Sequence, residues 1–66
     1  MSDYIALRTT LMLDELRKAK TRIDAANIYA DGLRIQGEIE WPRINAYLIE
    51  RWSRSGLAYI KKEAWG

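Results

Sequence analysis

From Ile5 to Leu33 one seam of apolar or small residues runs through Ile5, Thr9, Met12, Leu16, Ala19, Ile23, Ala26, Ala30 and Leu33, with spacings that alternate four and three. That is the period of a helix whose one face is buried. No Gly, Pro or Asn interrupts the chain from Asp3 to Ala26. Ser2 followed by Asp3 reads as a helix start, a capping hydroxyl and then a carboxylate at the positive helix end. Gly32 reads as its C-terminal cap. The pattern predicts one long helix from about Asp3 to about Asp31. A rival reading splits it near Thr21, because Thr21-x-x-Asp24 has capping-box spacing. The unbroken phase of the seam across Thr21 favours the single helix.

A second stripe, Tyr4, Leu7 and Leu11, lies on a different face and resumes at Ala25 and Ile28. Between them the chain is polar on that side, with Asp14–Lys18 and Lys20–Asp24 at pairing distance. Either both stripes pack inside one small bundle, or one of them meets a second copy.

The next segment, Leu33 to Trp41, alternates apolar or Gly with polar residues, which is strand periodicity. A lone strand has no partner, so an extended linker with one buried edge is the expectation. A small hairpin at Gln36-Gly37 or a strand pairing across a dimer are the alternatives. Pro42 then suits a first helical turn, where its missing N–H is not needed. Trp41, Ile44, Leu48 and Trp52 recur at helical spacing, flanked by Tyr47 and Ile49. That helix should end near Ser53, with Ser53 or Ser55 capping a short last helix that turns Leu57, Ile60 and Ala64 inward and Lys61 and Lys62 outward. The expected fold is therefore all-α: a single small domain over residues 1–66, a helical bundle in which a long N-terminal helix packs against a C-terminal helical hairpin.

At 66 residues, such a domain buries only roughly 60% of the surface its unfolded chain exposes. It has no cysteine to staple it, while 48% of its residues are hydrophobic. Self-association or a partner is the remaining staple, so a homo-oligomer is expected, with Tyr4, Leu7, Leu11, Ile28 and Trp65 as candidate interface residues. Trp41, Trp52 and Trp65 are the three tryptophans. The first two fit the core stripe, and Trp65, beyond the regular pattern, reads as a lid on the core.

The absence of histidine as well as cysteine removes the usual acid–base residue and the commonest metal ligands. Asp14-Glu15 and Glu38/Glu40 do not have metal-ligand spacing. Neither catalysis nor a cofactor or metal is expected. No secretory signal and no stretch long enough to span a bilayer are visible, so a membrane role is not expected and the cytoplasm is the default location.

Charge points elsewhere. Residues 1–32 are balanced, residues 33–40 carry −1, and residues 41–66 carry +3. The basic residues Arg43, Arg51, Arg54, Lys61 and Lys62, with the hydroxyls of Ser53 and Ser55 at a helix start, form a combination that attracts phosphate. The layout 43–52, turn, 57–64 resembles a helix-turn-helix in outline. The glycine comes late in the turn, however, and the second helix carries no Asn or Gln to read base edges. Phosphate contact is better supported than sequence reading. The first functional expectation is a non-enzymatic, helix-turn-helix-like DNA- or RNA-binding protein. The alternative is a small protein-binding inhibitor or adaptor, of the kind viruses and mobile elements encode, docking through its apolar and aromatic helix faces. A purely structural assembly subunit comes third. A solvated basic face and an ordinary stop-and-cap turn are the bland readings of the same residues.

Overall fold

The computed structural model describes residues 2–66, without the side chains of Ser2 and Gln36. The capping hydroxyl expected of Ser2 thus lies outside the described residues. Those residues form an all-α domain: α1 (Ser2–Lys18), α2 (Arg22–Leu33), a 3-10 turn (Gln36–Glu38) and α3 (Trp41–Trp65). No strand occurs among them. α2 and α3 pack most closely.

The single long N-terminal helix is corrected to two. Thr21 is extended, φ −129° and ψ 165°, and its side chain accepts a hydrogen bond from the Asp24 N–H at 3.1 Å. This is the helix-start geometry that Thr21-x-x-Asp24 signals. The seam loses phase at this break. Thr9, Met12, Leu16 and Ala19 are buried, and so is Ala26, whereas Ile23 is 45% exposed and α2 adds Ala25, Tyr29 and Gly32 to its inner face. Ala25 therefore belongs to the core and not to an outer stripe.

Gly32 is not a cap. It is buried within α2, which ends at Leu33 with Arg34 as its C-cap, and a Cβ there would lie 2.9 Å from Met12 Cε and 3.1 Å from Trp41 Cη2. Its lack of a side chain lets α1 and the start of α3 close over it. The extended linker is also corrected. Ile35 N–H bonds to Gly32 O and Glu38 N–H to Ile35 O, so the segment satisfies its backbone locally as a 3-10 turn. A lone strand would have left those groups unpaired. Among the described residues of this stretch, Ile39 alone is buried in the core.

Buried Thr9 ties α1 to the start of α3. Its hydroxyl donates to Ile5 O at 2.8 Å and accepts from the Glu40 N–H at 2.9 Å. Glu40 is the N-cap of α3 but makes no side-chain capping bond, so Thr9 supplies the partner for its backbone. Pro42 occupies the first turn of α3 as expected. Leu16, Ile44, Leu48 and Ile60 are completely buried and centre the core. Tyr29 packs on Trp41 with ring centroids 4.7 Å apart and donates its hydroxyl to Asn45 Oδ1 at 2.8 Å. Burial pushes the Tyr29 phenol above its ordinary pKa.

The C-terminal hairpin takes the form of a kink. Within α3 only Ser53 leaves helical conformation, with φ 72° and ψ 174°. Arg54, Ser55 and Gly56 form the first turn of the following arm, where the sequence pattern predicts a four-residue turn. Ile60 is buried on that arm and Leu57 and Ala64 pack partly against the core, which is the expected inner face.

Candidate nucleic-acid interface

α1 runs out of hydrogen-bonding partners at its C-terminus, as every helix does. Ala19 N–H is shared between Glu15 O and Leu16 O. Arg51, from α3, reaches across and donates from Nη1 to Leu16 O at 2.7 Å and from Nη2 to Ala19 O. A cation on the negative end of a helix is favourable in charge as well as in hydrogen bonding. The guanidinium also lies 4.0 Å from the Trp52 ring centroid and within 3.4 Å of the Tyr47 hydroxyl. Arg51 is thus first a strap between α1 and α3, and this role was not visible in the sequence.

The strap has a consequence for charge. It holds the α1–α2 turn against the α3 kink. Arg22, at the start of α2, stacks over Tyr59 with its guanidinium carbon 5.1 Å from the ring centroid. Its Cδ lies 3.9 Å from the position a Cβ would take on Gly56. Lys18, Lys20 and Arg22 from the turn, with Arg51 and Arg54 from the kink, therefore gather at one end of the bundle. All five are exposed, and none forms an ion pair among the described residues. Two helix N-termini open at the same end, α2 behind Thr21 and the last arm behind Ser53, each contributing partial positive charge. Lys18, Lys20 and Arg22 escaped the sequence reading because residues 1–32 sum to zero charge. Of the acidic residues in this segment, Asp14 pairs with Arg17 at 2.8 Å and Asp3 lies near the start of α1, while Asp24 stands in the first turn of α2 beside the cluster.

The other candidate residues divide. Arg43 sits near the opposite end of the first arm of α3, roughly 14 Å along the helix from Trp52, and lies 3.7 Å from Glu40 Oε1. It does not join the cluster. Lys61 and Lys62 are exposed on the last arm. Arg54 and Lys61, seven residues apart, fall on one face of that arm. Ser53 Oγ and Ser55 Oγ are hydrogen-bonded to each other at 3.0 Å, and Gly56 N–H reaches Ser53 Oγ at 3.5 Å. Ser53 is thus the capping residue of the pair.

Of the candidate interface residues, Tyr4, Leu7 and Leu11 are 50%, 55% and 49% exposed. Ile28 packs partly against the core. Trp65 is 66% exposed, which corrects the lid reading; on the same arm it is Ile60 that is buried, with Ala64 packed partly against the core. A groove of about 190 Å³ runs beside the α1 stripe, lined in part by Arg8, Leu11, Glu15, Ile28 and Asp31.

Among the described residues, no group of His, Cys, Asp or Glu could hold a metal ion. Among the same residues, no helix is long and apolar enough to cross a membrane. Comparison with protein-family models, with curated proteins and with solved structures gives no match for this chain.

Proposed function

We propose that this chain is a non-enzymatic nucleic-acid-binding protein that grips phosphates with the basic end of its bundle. Lys18, Lys20, Arg22 and Arg54 make the contacts, and Lys61 extends them along the last arm. Arg51 acts mainly by holding the two halves of the surface together. One observation supports the reading: Arg51 bonds Leu16 O and Ala19 O and so holds two short basic segments, distant in sequence, near one another, close to two helix N-termini. The last arm carries no Asn or Gln, so binding is read as largely independent of base sequence.

Filter binding to a generic duplex at several salt concentrations tests this. Each of Lys20→Ala and Arg54→Ala should weaken binding for all sequences alike. Each should also make the slope of log affinity against log salt shallower by about one unit. Arg43→Ala should leave both unchanged. No measurable wild-type binding at low salt refutes the proposal. The second reading, docking on a protein through α1, is favoured by the half-exposed Tyr4, Leu7 and Leu11.

A further inference from the structure

On α1 the residues Tyr4, Arg8, Leu11 and Glu15 are spaced four, three and four, and so share one face. Leu11 is half-exposed at its centre. One turn toward the N-terminus stands Arg8, and one turn toward the C-terminus stands Glu15. Both line the groove next to Leu11, and neither forms an ion pair among the described residues. Asp31 lines the same groove from α2, also without an ion pair among those residues, and leaves its rim net acidic.

A face that is basic before its apolar centre and acidic after it is complementary to itself turned end for end. In a parallel pair, Arg8 would meet Arg8 and Glu15 would meet Glu15. In an antiparallel pair crossing at Leu11, each Arg8 meets the partner's Glu15, twice by symmetry. Two-fold pairing repeats each contact in this way. We infer that the α1 face is the docking site for a second copy of this chain, crossing antiparallel at Leu11 with reciprocal Arg8–Glu15 ion pairs. The residues differ from those of the basic end, so this inference and the nucleic-acid reading stand or fall separately.

Sedimentation equilibrium across the micromolar range tests it. The wild type should form a dimer. Leu11→Asp should sediment as a monomer while keeping its helical circular dichroism, since Leu11 is half-exposed and not a core residue. Arg8→Glu alone and Glu15→Arg alone should each dissociate about tenfold more readily or worse, because each sets like charges opposite one another. An equimolar mixture of those two variants should recover wild-type association, because one chain then presents two carboxylates and the other two guanidinium groups. A monomeric wild type overturns the inference, as does a dimer indifferent to Leu11→Asp. A mixture that associates no better than its components also overturns it.

Discussion

At Thr21 the chain enters α2 through an extended residue, φ −129° and ψ 165°; at Ser53 it enters the last arm of α3 with φ 72° and ψ 174°. Both residues offer a hydroxyl to the N–H three positions on, Asp24 at 3.1 Å and Gly56 at 3.5 Å. The capping chemistry is the same, and the backbones differ. Between α1 and α2 the chain has residues 19–21 over which to change direction. Within α3 one residue makes the whole change, and it adopts a conformation essentially reserved for glycine, at a cost on the order of 1–3 kcal/mol. A strained break persists only where its surroundings over-determine it. Here these are buried Gly56 and Ile60 on the far side and the Arg51 strap on the near side.

The comparison is broken most severely at Gly56. A Cβ there would lie 2.4 Å from Trp52 Cβ, and Trp52 Cβ cannot swing aside as the end of a long side chain can. Gly56→Ala should therefore force the kink to reopen or Trp52 to shift, destabilising the fold by about 3 kcal/mol, at the upper end of overpacking effects. Denaturant titration followed by tryptophan fluorescence measures it. A change below ~1 kcal/mol would mean the kink is soft and the two breaks are not different in kind.

Arg51 comes next. Arg51→Ala leaves Leu16 O and Ala19 O without their charged donor, and each such bond is worth about 1.5 kcal/mol or more when it is lost from a shielded acceptor. The side chain is exposed, so solvent will replace part of it, and a loss of about 2 kcal/mol is expected. Arg51→Lys should recover little, because an ammonium on a flexible stem does not present two donors in a fixed fork. Amide exchange should report the damage first at the end of α1. Uniform loss of protection across the protein would argue that Arg51 acts only through global packing.

The breaks also show how much was legible beforehand. Thr21-x-x-Asp24 was readable, yet a run of small and apolar residues at 19, 23, 26 and 30 kept the apparent phase and favoured one helix. Periodicity cannot register a break when the residues on either side suit the same pattern. Only the exposure of Ile23 shows that the face has turned. The Ser53 break was legible to within one residue because Ser-Arg-Ser-Gly is a strong stop-and-cap signal. Gly56 looked misplaced for a helix-turn-helix, and its reason is the nearness of Trp52, a contact that depends on the backbone path. The Arg51 contacts span 35 and 32 residues. No local pattern encodes them, so the gathering of Lys18, Lys20 and Arg22 with Arg54 was hidden as well.

Thr21→Ala sharpens the comparison from the unstrained side. It removes a capping hydroxyl from an otherwise ordinary backbone, and the loss should be about 1 kcal/mol, the usual value for such a cap. The melting temperature should fall by several degrees, roughly 4–8 °C per kcal/mol in a domain of this size. No change would mean that solvent caps α2 as well as Thr21 does.

Ser53→Gly should give the smallest effect, and one of opposite sign. Glycine adopts φ 72° and ψ 174° without steric penalty, so the substitution relieves the strain held at this residue. Two terms oppose the gain. The Ser53 hydroxyl is lost, but Gly56 N–H approaches it only at 3.5 Å, and glycine is itself a tolerated cap, so this term is a few tenths of a kcal/mol. Glycine also widens the unfolded ensemble, by about 0.4–1 kcal/mol. The balance is a stabilisation of about 0.5–1 kcal/mol, read as a small rise in the denaturation midpoint with unchanged slope. The same substitution at Thr21, where the backbone is already extended, has no strain to relieve and should only destabilise. If Ser53→Gly and Thr21→Gly move the midpoint in the same direction, the two breaks are energetically alike and the positive φ at Ser53 carries no stored strain.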